Sequence, residues 1–270
     1  MESEAQTTPE YDRLLELVSE KRQSMRKLKP DPIPEGYVEK ILEVARWAMS
    51  GANSQPWEFV VVTNPETKKQ LFEAYLESSL EFCYWMEQMR IREYRHPAFI
   101  VDGDLEEQWK IIREGAAVGW SEAPVVIVAL GDGRRQWGTV MGGHTFGRHQ
   151  SHLTDGMAQA CLLVHLAANA LGLGTQWVTP NGPEEPYKRI LNIPDLLSVY
   201  LIIPIGWPAY ERSKGVRRPV EDFVHYETYD WSKYMSNKDI LDYIRSLRTR
   251  TLYRYPNKGE DPKTKGIQPD

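Results

Sequence analysis

The chain has 270 residues, 41% hydrophobic and 26% charged, a length and composition that exclude wholesale disorder and allow one large domain or two small ones. Its 33 Lys+Arg against 38 Asp+Glu leave a formal net charge of −5, so nothing draws the whole molecule toward nucleic acid. No apolar run nears the roughly 20 residues of a membrane span. The opening MESEAQTTPE is acidic rather than signal-like, and two cysteines, Cys83 and Cys161, are too few for a disulfide framework. A cytoplasmic, soluble globular protein is expected, with no membrane or nucleic-acid partner.

Residues 1–9 read as a loose arm and 258–270 as a polar tail, with one domain expected over 10–257 because no repeat, low-complexity block or Gly/Ser linker divides it. Thr8 and Pro9 read as the cap and first residue of a helix with Tyr11, Leu14, Leu15 and Val18 on one face. Pro34 is expected to open a second helix, with Val38, Ile41, Leu42, Ala45, Ala48 and Met49 as its apolar face. A strand over 57–63 follows the turn SGANSQP, and Asn64-Pro65 starts a third helix running to about Arg95. Another helix is expected over 109–120. Pro124–Leu130 (PVVIVAL) reads as a buried strand because it is β-branched without alternation.

Residues 134–152 read as a loop, and the most apolar helix as 154–171. Its small residues imply a close backbone approach, and its polar Gln159, His165 and Asn169 exclude a membrane helix. Strands at 175–179 and 200–207 and a short helix at 239–247 complete the order. Helices and strands do not alternate regularly, so the fold class is α+β with a mixed sheet, not doubly wound.

The familiar nucleotide-loop, zincin and hydrolase signatures are absent. His144, His149 and His152 sit on an expected loop without an acidic or thiol partner, so no metal is expected. Cys161 reads as a packed core residue. Three segments carry more chemistry. Arg22, Ser24 and Arg26 alternate, so in an extended strand two guanidiniums and a hydroxyl converge on one side, a cradle for a phosphate or polyol. In SGANSQPW, Gly51 frees the backbone while Asn53 and Gln55 present amides suited to a heterocycle edge. Arg217-Arg218-Pro219 is a second basic point. Each segment also has a bland reading, as solvated charge or an ordinary turn.

Taken together they resemble the FMN-dependent nitroreductase superfamily. Arg22-Gln23-Ser24-Met25-Arg26 with Lys29-Pro30-Asp31-Pro32-Ile33-Pro34 resembles its RRSxR…PxP opening. Ser50-Gly51-Ala52-Asn53-Ser54-Gln55-Pro56-Trp57 with Phe59-Val60-Val61-Val62 resembles its PSxxNxQPWxFVVV motif. Leu171–Thr175, Pro204–Pro208 and Arg217–Val220 resemble its GLGT, PxGxP and RxPL elements, in the same order, over residues 15–228.

The resemblance implies a central mixed sheet flanked by helices in an intertwined homodimer, whose C-terminal arm packs on the partner and whose two FMN sites draw on both subunits. Carried over by position, Arg22, Gln23, Ser24 and Arg26, with Arg217, hold the phosphate and ribityl chain. Ser50, Gly51, Asn53 and Gln55 approach from the other subunit, and Gln176, Trp177, Val178 and Thr179 pass the ring near N5. The implied activity is a ping-pong oxidoreductase that takes electrons from NAD(P)H and reduces an aromatic acceptor such as a nitroaromatic or quinone.

A second branch, similar to iodotyrosine deiodinase, is suggested by Ser50-Gly51-Ala52 and by Thr179-Pro180, where a Thr hydroxyl near N5 would act as the catalytic group in dehalogenation. Leu80 stands four residues before Tyr84, where that branch's substrate-clamping Glu would be, so halotyrosine itself is not implied. Ser24 also departs from the RRDVR opening of the flavin-fragmenting branch. A flavin-binding protein without turnover is the remaining alternative. Residues 71–120 are expected to form a lid whose Tyr84, Trp109 and Lys110 meet an aromatic, anionic substrate.

Overall fold

The computed structural model describes residues 6–88, 120–135, 149–180, 182–211 and 217–243. The chain divides into two compact units. Met1–Cys83 with Trp109–Ser213 form one, and Tyr84–Gln108 with Lys214–Asp270 form the other.

In the first unit, α1 (Pro9–Glu16) starts as expected: the Thr8 side chain accepts from the Tyr11 amide, and Pro9 occupies the first turn. Its apolar stripe stays open, with Tyr11, Leu14 and Leu15 each about half exposed. A π-helical turn at Leu17–Lys21 leads into an extended segment and the short strand β1 (Leu28–Lys29). Helix α2 (Tyr37–Ala45) begins three residues later than expected. Pro34 instead supplies the carbonyl of a turn closed by the Tyr37 amide, and Gly36, at φ +79°, takes the cap position. Ile41, Ala45 and Ala48 are buried as the periodicity requires, but Met49 lies beyond the helix and is exposed.

Strand β2 (Trp57–Val62) pairs with β3 (Val125–Asp132), and β3 with the long β5 (Leu197–Pro208). β5 also pairs with β1 and with the two-residue β4 (Gly174–Thr175), giving the order β1-β5-β3-β2 with β4 beside β5. All these ladders are antiparallel. The parallel link among the described residues is the bridge between Ser24 and Thr175. The expected strand at 175–179 therefore shrinks to β4 plus one antiparallel bridge, Val178 to Ile202.

Helices cover both faces of the sheet. Helix α3 (Pro65–Gln88) and helix α5 (Glu185–Leu191) lie on one face, where Leu71, Phe72, Leu76 and Tyr187 pack against Val126, Val128 and Ile202. α2 and α4 (His149–Ala170) lie on the other, against Ile127, Ala129, Leu201 and Ile203. This double cover explains why PVVIVAL lacks alternation, since every residue of β3 is buried. Helix α4 starts at His149, so His149 and His152 are helical rather than in a loop. His144, the expected helix over 109–120 except Trp120, and the end of the third helix beyond Gln88 lie outside the described residues.

Two motif glycines answer to packing. A Cβ on Gly174 would lie 2.9 Å from Met25 Cγ, and one on Gly206 would lie 2.6 Å from Pro124 Cδ. Trp207 Nε1 donates to the Pro32 carbonyl at 3.1 Å, tying the end of β5 to the proline-rich loop.

In the second unit, Arg218 donates to the Asp222 carbonyl at 2.9 Å and lies over the Phe223 ring. His225 stacks on Tyr229, whose ring meets Trp231 edge to face. Residues 237–243 are helical, two residues earlier than the expected start at 239.

Candidate functional site

The alternation of Arg22, Ser24 and Arg26 meets its structural partner in β4. The Met25 amide donates to the Thr175 carbonyl at 2.7 Å, and Ser24 pairs with Thr175. Residues opposite each other in such a pairing share a face, so Ser24, and with it Arg26 two residues on, lies on the same side as the Thr175 side chain. Arg22 lies across a bend at Gln23, and its charge is close enough to act on His165. Met25 turns the other way, is 1% exposed, and packs on Gly174. Ser24 and Arg22 are half-buried and Arg26 is exposed. Among the described residues no carboxylate forms an ion pair with Arg22. The Gln23 Nε2 donor is buried without a hydrogen-bond partner among the described atoms. A chain of two cations, a hydroxyl and an unanswered amide donor fits a phosphate with a polyol attached.

Past β4 the backbone runs beside β5. The Gln176 amide donates to Pro204 at 3.3 Å, and Val178 and Ile202 exchange both bonds. Val178 is 2% exposed, so its side chain belongs to the core, while Trp177 and Thr179 face outward. Trp177 is placed by aromatic contacts: it stacks on His165 at 5.5 Å and meets Tyr200 edge to face at 6.4 Å. Tyr200 is the extra residue of a register shift between β3 and β5.

Beneath Thr175 lies a polar cluster the sequence reading did not assign to the site. His165 Nδ1 is 2.7 Å from Thr175 Oγ1, and Asn169 Nδ2 donates to the same oxygen at 3.2 Å and to the His165 carbonyl at 2.8 Å. Burial, reinforced by the Arg22 charge, pushes the His165 pKa down to about 4, so the ring is neutral at ordinary pH. The available signal was a pair of polar residues at i,i+4 on one face of an apolar helix.

The turn Ser50–Trp57 sits at the other end of α4. Ala52, Asn53 and Gln55 all adopt positive φ, at 52°, 53° and 46°. Ser50 Oγ accepts from the Gln55 amide at 3.0 Å, and the Asn53 and Ser54 amides donate to the Ser50 and Gly51 carbonyls. The turn lies against Gly156, and Gly51 beside His152. It is braced from β3: Asp132 accepts from Arg134 Nε and Nη2, both at 2.8 Å, and its amide donates to Pro56. Arg135 pairs with Glu58 at 2.7 Å. The Arg134 guanidinium holds the Asp132 carboxyl below the usual carboxylate range.

Gly156 and His165 are nine positions apart, about 13 Å along α4. One copy of the chain therefore carries the Arg22–Arg26 strand with Gln176–Thr179 near one part of α4, and the Ser50–Gln55 amides near another. Arg217 is exposed in the second unit. Tyr84 lies on α3 with its side chain outside those described, and Trp109 and Lys110 lie outside the described residues. Cys161 is fully buried, and burial pushes its thiol up to about 12. Among the described residues no cluster of His, Cys, Asp or Glu could hold a metal, and no helix is long and apolar enough to cross a membrane.

Comparison with known proteins shows the family and the fold. The model of the nitroreductase family matches residues 20–207. A protein named NADH dehydrogenase from Thermus thermophilus is 30% identical over 220 residues, covering 76% of this chain and 91% of its own. An iodotyrosine deiodinase from Nematostella vectensis is 25% identical over 211 residues, covering 76% and 71%. Among solved structures, oxidized iodotyrosine deiodinase bound to FMN and 3-iodo-L-tyrosine shares the fold at a TM-score of 0.54, with 24% identity over 77% of this chain and 96% of that one. A nitroreductase-like protein from Streptococcus mutans does so at 0.56, with 19% identity over 81% and 100%.

Proposed function

The chain belongs to the nitroreductase family, and from that premise we propose that it is a cytoplasmic, homodimeric FMN-dependent oxidoreductase. It takes electrons from NAD(P)H and passes them to an aromatic acceptor, a nitroaromatic or a quinone, in a ping-pong cycle. The observation that carries this reading is the pairing of the Arg22–Arg26 segment with β4 through Ser24, Met25 and Thr175.

When bound, FMN supplies the electron transfer itself. Arg22 and Arg26 hold its phosphate through charge-assisted bonds, and Ser24 and Gln23 hydrogen-bond the phosphate and ribityl oxygens; the resemblance adds Arg217 as a candidate cation. The outward faces of Trp177 and Thr179 and the backbone at Gln176 and Val178 line the ring edge. Ser50, Gly51, Asn53 and Gln55 reach the flavin from the second copy. The open apolar stripe of α1 and the distance between the two halves of the site along α4 support a dimeric arrangement. Tyr84, Trp109 and Lys110 are the residues proposed to meet the acceptor; the start of the expected lid does not cover the site, since Leu71, Phe72 and Leu76 pack in the sheet core.

A second reading, reductive dehalogenation of halogenated phenols with Thr179 as its catalytic hydroxyl, draws support from relatives named iodotyrosine deiodinase, in Nematostella vectensis and Haliscomenobacter hydrossis among others. One anaerobic assay separates the readings: purified protein, FMN, NADH or NADPH, and in turn a nitroaromatic, a quinone and an iodophenol. Consumption of the first two without halide release supports the main reading. Halide release supports the second. Bound flavin that turns over none of them makes this a flavin-binding protein without catalysis.

A further inference from the structure

We infer that His165 is a positioning residue of the flavin site: acting through the Thr175 hydroxyl, it locks the Arg22–Arg26 strand to the Gln176–Thr179 segment and fixes the plane of Trp177. The inference rests on the flavin reading of that face. It goes beyond it because His165 lies in the interior of α4, 6% exposed.

The geometry gives one imidazole two jobs. Its edge meets Thr175 Oγ1 at 2.7 Å. Thr175 in turn pairs with Ser24, receives the Met25 amide at 2.7 Å, and is registered to Ile205 of β5. Anything that fixes the Thr175 side chain therefore fixes the strand that carries Arg22 and Arg26. The face of the same imidazole stacks on Trp177, with the planes 19° apart. The phosphate side and the ring side of the site thus share one buried support.

Proton bookkeeping makes the support directional. Asn169 donates to Thr175 Oγ1, so the threonine proton is free to go to His165 Nδ1. Assigned from this network, the ring carries its own proton on Nε2. His165 Nε2 and Asn169 Oδ1 have no hydrogen-bond partner among the described atoms. Apolar residues would fill this space without leaving such groups buried and unanswered, so the polar cluster is not the arrangement that packing alone favours.

The test uses the full-length apoprotein and FMN. His165→Phe keeps a ring for Trp177 but loses the bond to Thr175. Thr175→Val keeps the shape but loses the hydroxyl, and Thr175→Ser restores it. The dissociation constant for FMN should rise about tenfold in each of the first two variants, the size of one hydrogen bond of about 1.4 kcal/mol. The double variant should be no worse than the weaker single, and Thr175→Ser should stay within about twofold of the parent. At saturating FMN the visible circular dichroism of the bound flavin should change in His165→Phe and Thr175→Val and be restored in Thr175→Ser.

Lower melting temperatures with unchanged FMN affinity and unchanged flavin dichroism would overturn the inference, as would strictly additive losses. If His165→Phe does not fold, the Thr175→Val and Thr175→Ser pair decides alone. A parent protein that binds no FMN overturns the flavin reading and this inference with it; a parent that binds normally beside indifferent variants overturns this inference only.

Discussion

A Cβ placed on Gly156 would stand 3.2 Å from the Cβ of Ser50 and 3.3 Å from Cγ of Pro56. Helix α4 and the Ser50–Trp57 turn meet where there is no slack for a methyl group. In an open helix, Gly→Ala gains roughly 1 kcal/mol. Here Gly156→Ala should forfeit that gain, and Gly156→Val should lower the urea midpoint outright. An alanine variant stabilised by the full amount would show that the turn is not seated on Gly156.

The same turn holds three non-glycine residues at positive φ. Of these, Ala52 has no side-chain hydrogen bond to offset the cost. Ala52→Gly should leave stability unchanged or slightly raised, and Ala52→Val should lower it by about 1–2 kcal/mol, because a β-branched residue fits the left-handed region worst. Denaturant titration of the three proteins measures this; equal midpoints would mean the turn relaxes in solution.

The order of elements and the core were legible in the sequence wherever a local signal coincided with burial. Thr8-Pro9 reads directly as a cap, and Pro124–Leu130 as a strand buried on both faces. The errors have local physical causes. Proline suits a helix start, which points to Pro34, but a turn closes on its carbonyl and Gly36 takes the cap. The strand expected over 175–179 is short because β5 is shared among β1, β3 and β4, and Val178 reaches it through a single bridge. For the site, the extended pairing around Ser24 was readable from the alternation, while the bend at Gln23 was not. Nor was the support of that pairing: His165 and Thr175 are ten positions apart, and only the return of the chain from α4 into β4 brings their side chains together. The bracing of the turn by the Asp132 amide on Pro56 was hidden for the same reason, since it depends on the pairing of β2 with β3.

His165 gives stability a pH dependence. Its folded pKa of about 4 lies below the ordinary 6.5. Between those values the unfolded chain binds a proton that the folded chain refuses. Stability therefore falls as pH drops from 6.5 toward 4 and levels off below, by an amount on the order of 3 kcal/mol. The stabilisation of Asp132, whose folded pKa is lowered, is lost at more acidic pH, as it is finally protonated. Urea midpoints at pH 7, 5.5 and 4.5 should therefore decline less in His165→Phe than in the parent. Parallel profiles would contradict the buried neutral ring.

Lys68 is the buried cation of α3, 6% exposed, and its ammonium donates to the carbonyls of Ala123 at 2.6 Å and Pro124 at 3.2 Å. Burial lowers its pKa from the ordinary lysine value. Lys68→Met fills the same space but leaves both carbonyls unanswered, and should cost about 2 kcal/mol in chemical denaturation. A neutral substitution would show that water replaces the ammonium without loss.

The central claim is that the Arg22–Arg26 segment beside Thr175 holds a flavin phosphate. Titrating flavin-free protein with FMN, and in parallel with riboflavin, tests it most directly when the parent is compared with Arg22→Ala. Arg22→Ala should weaken FMN binding roughly 10- to 100-fold, the equivalent of about 1.5–3 kcal/mol for a hydrogen bond to a charged group, and leave riboflavin binding nearly unchanged. Equal FMN affinity in the two proteins, or an equal loss for both ligands, would contradict it.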